Sequence, residues 1–236
     1  MNIMVCGVGG QGVILFSDII ADLAMNAGLD VKKSEVHGMA QRGGSVTSHI
    51  RFAPKVYSPL IEEGTADVMV AFEMLEALRF SYFLSPNGRL IYDTHRIDPL
   101  PVSIGAVERP TDKWLDERLT ARVRKTGTVR GKQGLSRAES DASASRDCPS
   151  FSATAKEGTV PRFSEADPLI LVPAFETALR LGNARVQNTV MLGAVSCLLE
   201  FPEEAYRQAI ARLVKPKVVD LNLKAFAEGR TLCTQP

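Results

Sequence analysis

Apolar residues fall in short runs separated by glycines, prolines and charged positions. Residues 2–6 (Asn-Ile-Met-Val-Cys) form a run that stops at glycines, as a strand buried on both faces does. Residues 13–27 place Ile14, Ile19, Ile20 and Leu23 on one helical stripe, with Asp18 and Asp22 beside it and Gly28 as a stop. Residues 31–36 predict a weaker, more polar strand. Over 46–52, Val46, Ser48, Ile50 and Phe52 alternate with Thr47, His49 and Arg51, the period of a strand with one less apolar face. Residues 67–72 predict a buried strand. Glu73 to Phe83 reads as a helix closed by Pro86-Asn87-Gly88, and 89–92 as the next strand, with Asp93 at its carboxyl end. This alternation predicts a three-layer α/β/α, Rossmann-like fold with a mostly parallel sheet and helices on both faces.

Toward the C-terminus, Leu169–Val172 predicts a strand ending at Pro173, and Ala174–Leu181 a helix stopped by Gly182. Asn188 is a candidate cap for the helix 189–201, which is apolar nearly all round and reads as core rather than subunit interface. Pro202-Glu203-Glu204 opens a further helix, and Val218–Gly229 predicts a last one, ended by Gly229. Residues 124–165 are poor in large apolar side chains and show no period. Such a stretch cannot offset its ordering entropy by burial, so a disordered surface insertion is expected there. The chain thus reads as one domain, 1–236, interrupted at 124–165.

Composition narrows the possible functions. The 236 residues are 45% hydrophobic, enough for a sizeable core, and 28 Lys+Arg against 27 Asp+Glu leave a net charge of +1. That balance argues against a nucleic-acid binder. No apolar run reaches the roughly 18–20 residues of a membrane span, and MNIMVCGVGG has no basic segment ahead of an apolar one, so a cytoplasmic protein is expected. Cys6, Cys148, Cys197 and Cys233 are far apart and form no CxxC pair, which argues against an iron–sulfur or zinc site within the chain.

Two glycine-rich segments could carry chemistry. Gly7-Val8-Gly9-Gly10-Gln11-Gly12 fits the GxGxxG spacing between a strand and a helix, where a helix N-terminus favours an anion. The polar strand DVKKSEVHG, with Glu35, replaces the apolar strand with a terminal acid that a dinucleotide site needs. A turn needed only for packing stays open as an alternative. The second segment, Ser34 to Ser45, holds His37, Gln41, Arg42, Gly43 and Gly44 and should reach the carboxyl edge of the sheet near the first loop. His37 suits acid–base or hydrogen-bond work and Arg42 a bidentate grip on a carboxylate or phosphate. Against these stand a structural histidine and a local ion pair. Glu73 could cap the helix after it, His49 reads as structural, and Asp93, Thr94 and His95 end a strand on the same edge.

These residues carry a resemblance. GVGGQGV followed by SEVHGMAQRGGSVTSHIRF is similar to the beta subunits of indolepyruvate:ferredoxin oxidoreductases, within the gamma-type domain of 2-oxoacid:acceptor oxidoreductases. ADVMVAFEMLEALR, NTVMLGA and DLNLKAFAEGR fit the same family, over about residues 1–120 and 167–230. The resemblance implies a subunit of a hetero-oligomer rather than a complete enzyme. Thiamine diphosphate and [4Fe–4S] clusters would belong to a large alpha subunit, which passes electrons to ferredoxin. The implied reaction converts an aryl pyruvate and coenzyme A into an aryl-acetyl-CoA, CO2 and reduced ferredoxin. No cofactor is expected on this chain alone. Its two glycine loops, with Gln11, His37, Gln41 and Arg42 as polar contacts, would help close the substrate or CoA pocket. A branch acting on pyruvate, 2-oxoglutarate or branched-chain 2-oxoacids remains open, as does a stand-alone dinucleotide-binding protein.

Overall fold

The computed structural model describes residues 1–38, 43–128 and 168–232. Among them six strands form one sheet: β1 (Asn2–Val8), β2 (Asp30–His37), β3 (Ser45–Ala53), β4 (Ala66–Ala71), β5 (Leu84–Asp93) and β6 (Leu169–Val172). Their order is β2-β3-β1-β4-β5-β6. β1, β4, β5 and β6 pair in parallel, and β3 alone runs against its neighbours β1 and β2. The mostly parallel sheet is therefore as expected, with one reversed strand that separates β1 from β2.

The helices are α1 (Val13–Asn26), α2 (Met74–Phe80), α3 (Leu100–Ser103), α4 (Asp112–Thr128), α5 (Ala174–Arg180), α6 (Gln187–Val195), α7 (Glu203–Leu213) and α8 (Val219–Leu232). The period-two geometry of β1 explains why its run is continuously apolar. Ile3 and Val5 enter the core shared with α1, α6, α7 and α8, while Met4 and Cys6 enter a second core with α2 and α4. Val68 and Val70 against Met69 and Ala71 repeat the division on β4. Helices cover both faces, which gives the three layers.

The helix predicted at 189–201 is shorter and begins earlier, as α6, and all nine of its residues are buried. Asn188 lies within its first turn and does not cap it, because a 3₁₀ turn at Ala184–Val186 leads straight into the helix. Gly229 does not end the last helix. It lies inside α8, against Gly193 of α6. A Cβ on Gly229 would come within 1.9 Å of the Val190 carbonyl oxygen, and one on Gly193 within 2.2 Å of that of Phe226. Two glycines let the helix backbones touch, and this close approach outweighs the poor intrinsic helix propensity of glycine.

Two other expectations need correction. Pro86-Asn87-Gly88 does not close α2; that helix passes into a 3₁₀ turn at Ser81–Phe83, and the tripeptide lies inside β5. There the register slips from Ala66↔Leu84 to Val68↔Arg89, a bulge in which Pro86 disturbs no ladder bond and Gly88 approaches the Ala66 carbonyl. α4, 17 residues long, had no counterpart in the sequence reading, and it carries helix through 124–128, where disorder was expected. Its Leu115, Leu119 and Val123 are buried against β5 and α2 at near i, i+4 spacing, a stripe diluted by the charged residues around it. The rest of the expected insertion, 129–165, lies outside the described residues.

The α6–α8 contact makes a direct stability prediction. Gly229→Ala should cost about 3 kcal/mol through overpacking, lowering the thermal midpoint by roughly 6–12 °C, as read by thermal unfolding followed by circular dichroism.

Candidate functional site at the carboxyl edge of the sheet

α1 leaves β1 toward one face of the sheet, and α2 leaves the adjacent β4 toward the other. The carboxyl ends of β1 and β4 therefore part at a topological switch point, where open α/β sheets bind their ligands. Gly7 to Gly12 occupy this point. Gly12, with φ 84°, is the N-cap of α1, and Gly10, with φ 109°, makes the turn before it; both conformations favour glycine. At Gly7 an added Cβ would strike Gln11 Oε1 and Phe72 Cβ, both at 2.9 Å.

The two glycine loops are joined directly. Gly9 N donates to the Gly44 carbonyl at 2.8 Å and Gly43 N to the Gly9 carbonyl at 3.3 Å. The proximity read from the sequence is thus a backbone hydrogen-bond pair. Gly43 is exposed and Gly44 half-buried. Gln41 and Arg42 lie outside the described residues. His37, exposed at the end of the edge strand β2, has Nε2 3.6 Å from Glu35. Glu35 is in turn paired with Lys33 at 2.6 Å. β3 separates Glu35 from β1, so this acid does not stand beside the first loop as a ribose-binding carboxylate would.

Gln11 is buried, and both ends of its amide are used within the chain. Oε1 accepts from Val8 N at 2.7 Å, and Nε2 donates to the Phe72 carbonyl at 2.8 Å, bridging β1 to the end of β4. Gln187, from α6, donates to the same carbonyl at 3.2 Å and to Asp93 at 2.8 Å. Asp93 is fully buried and also accepts from Phe175 N at 2.9 Å and His95 N at 3.1 Å. Desolvation raises the Asp93 carboxyl above its ordinary range against these hydrogen bonds. His95 stacks on Phe175 with centroids 3.6 Å apart, and burial lowers its imidazole.

Glu73 caps α2, accepting from Glu76 N at 2.9 Å and from Ile97 N at 3.4 Å. Burial pushes its carboxyl up to about 7 in spite of these donors. Glu76 pairs with the Ser45 hydroxyl and, at 3.2 Å, with Arg79. These bonds connect the second glycine loop, the α2 N-terminus and the segment after β5. Beside them a groove of about 310 Å³ opens between Val36, Thr47 and His49 on the strands, Gly38 just after β2, and Phe80 and Tyr82 at and just after the end of α2. His49 accepts from Ile61 N at 3.1 Å, the structural role expected of it.

Sequence reading missed Gln187, took Asn188 only as a helix cap, and missed Glu76 and Phe175. One signal was available for the first two: a Gln-Asn pair opening a helix apolar all round must be buried, and buried amides need partners.

The Glu73 cap gives stability a pH dependence with a defined sign. A carboxyl raised from 4.5 to about 7 by folding is favoured protonated in the native state. Its contribution, about 3 kcal/mol, is complete below the unfolded value and lost as pH rises through the folded one. Glu73→Gln, which keeps an acceptor for Glu76 N, should flatten the change in urea-unfolding free energy between pH 5 and pH 8.

Comparison with known proteins agrees with this architecture. The chain is 38% identical to indolepyruvate oxidoreductase subunit IorB of Archaeoglobus fulgidus, over 97% of this chain and 93% of that one. It is 34% identical to the subunit of the same name from Methanothermobacter thermautotrophicus, over 97% and 95%. A solved keto/oxoacid ferredoxin oxidoreductase gamma subunit from Geobacter sulfurreducens superposes with a TM-score of 0.59 at 19% identity, covering 99% of this chain and 98% of that one, and shares the fold. The family model described as pyruvate ferredoxin/flavodoxin oxidoreductase matches residues 2–232, and the chain belongs to that family.

Proposed function

We propose that this chain is the smaller, cluster-free subunit of a cytoplasmic indolepyruvate:ferredoxin oxidoreductase. The complex oxidatively decarboxylates an aryl pyruvate with coenzyme A, giving an aryl-acetyl-CoA, CO2 and two electrons for ferredoxin. The observation that carries this reading is the near end-to-end likeness to indolepyruvate oxidoreductase subunits. In this reading a large alpha subunit holds thiamine diphosphate and the [4Fe–4S] clusters. The chemistry of Cys6 supports that division: it is fully buried, its thiol lies 3.6 Å from the Glu76 carbonyl, and burial pushes it well above the ordinary thiol range. A cluster ligand must be a thiolate, which that environment opposes.

This chain's part is to bind and shield. The hydrogen-bonded loops at Gly9 and Gly43–Gly44 form one wall at the switch point, and His37, Gln41 and Arg42 border it in sequence. Closing such a wall over a reacting centre excludes water and orients the substrate, while the cofactor supplies the carbanion chemistry. The glycines of the first loop set the backbone, Gln11 fixes it to β4, and Arg42 supplies a cation for a carboxylate or phosphate.

Anaerobic purification of the tagged chain with its partner is the direct test. The expected result is a brown complex with a larger, thiamine- and iron-bearing subunit and indolepyruvate-dependent viologen reduction that requires CoA. Preference for pyruvate, 2-oxoglutarate or a branched-chain 2-oxoacid would move the chain to another branch, and a colourless single chain retaining NAD or flavin would overturn the proposal. Within the active complex, Arg42→Ala should lower turnover about 10-fold or more with assembly unchanged, as expected for loss of a charge-assisted contact.

A further inference from the structure

We propose that Asn188 and the N-terminus of α1 form a seat for an anionic oxygen of a carboxylate or phosphate. Its natural source, the 2-oxoacid or CoA, rests on the subunit reading above. Three amides meet at the switch point, and their hydrogen bonding differs. Gln11 and Gln187 use their amides within the chain. Asn188 is 3% exposed, yet among the described residues its Nδ2 has no hydrogen-bond partner, and its Oδ1 receives only a 3.4 Å contact from the Thr189 hydroxyl. That hydroxyl makes its shorter bond, 2.6 Å, to Asn222. An amide donor that meets no acceptor in the fold is available to a bound one.

The Asn188 amide lies against Gly12, at a helix N-terminus that attracts negative charge. Gly12, the N-cap of the 14-residue α1, has no side chain to cap the first turn, and that turn holds no acidic residue. The first backbone bond back into the helix is from Phe16 N to the Gly12 carbonyl, so the N–H groups of Val13 to Leu15 precede it. Asn188 Nδ2 comes within 2.8 Å of where a Cβ on Gly12 would stand. Glycine at position 12 therefore serves twice: it adopts the left-handed turn, and it clears the space through which the amide reaches the helix end. A neutral side-chain donor and aligned backbone N–H groups, with no acidic residue in the first turn of α1, describe a site for an oxyanion rather than a cation.

The test uses two variants and two readouts. Asn188→Asp keeps the shape but replaces the donor with a carboxylate, and the N-terminal turn of α6 tolerates that charge; Asn188→Ala removes the donor alone. In the full chain, pyrophosphate and acetate are titrated at constant ionic strength while the amide resonances of Gly12 and Val13 are followed by NMR. Saturable shifts with either anion in the wild type, lost in Asn188→Asp and weakened about 10-fold in Asn188→Ala, are expected. Pyrophosphate alone would point to a phosphate of CoA, and acetate alone to the 2-oxoacid carboxylate. The same variants in the reconstituted complex should raise the KM for that ligand about 10-fold with kcat little changed. No saturable shift in the wild type, or equal binding by Asn188→Asp, would overturn the seat even if the complex is active. A wild-type complex inactive on every 2-oxoacid would overturn the subunit reading and leave the amide shifts to decide the seat.

Discussion

The hydrogen bonds of Gln11 hold the carboxyl edge together. Backbone pairing joins β1 to β4 as far as the bond from Phe72 N to the Cys6 carbonyl, and beyond it the two strands send their helices to opposite faces. Here one side chain spans the gap, accepting from Val8 N and donating to the Phe72 carbonyl. Gln187 reaches the same carbonyl from α6 and continues to Asp93. The ends of β1, β4 and β5 are therefore held by amides rather than by a ligand. The backbone of the first glycine loop is set before anything binds, which is the preorganisation that a positioning wall requires.

Buried carboxylates extend that order outward. Asp93 fixes His95 and Phe175 by accepting from both backbones, and Glu73 ties the start of α2 to Ile97. Glu76 then reaches Ser45, at the end of the second glycine loop. Burial favours the neutral forms of Asp93 and Glu73, and both are retained through backbone N–H donors. The loops at this edge are thus coupled through titratable groups, with Glu73 poised near neutrality.

The helical layer over the other core solves a different problem. α6 must lie buried between the sheet and α8, and side chains of ordinary size would hold the two helix axes apart. Gly193 and Gly229 remove the obstacle and let backbone meet backbone. The same helix, at its other end, lays Asn188 against Gly12 at the start of α1. Helix packing and the edge of the sheet are therefore coupled through one element.

Sequence periodicity alone determined all six strands, the alternation with helices and the two-sided burial of β1, because a parallel strand covered on both faces must be apolar throughout. It also placed both glycine loops on one edge, since strand direction follows from the β-α-β order. Tertiary structure decided what depends on contacts between distant residues. Gly229 reads locally as a helix stop but is a packing residue, because its partner Gly193 is 36 positions away. Pro86-Asn87-Gly88 reads as a turn but is a bulge within β5, because β4 supplies the ladder around it. Gln11 reads as a ligand contact, yet the tertiary fold gives its amide partners within the chain, whereas Asn188, read as a cap, lies against Gly12 with no acceptor for its donor among the described residues. Local pattern reports which face of an element is buried. Only the assembled chain determines what a buried polar group meets there.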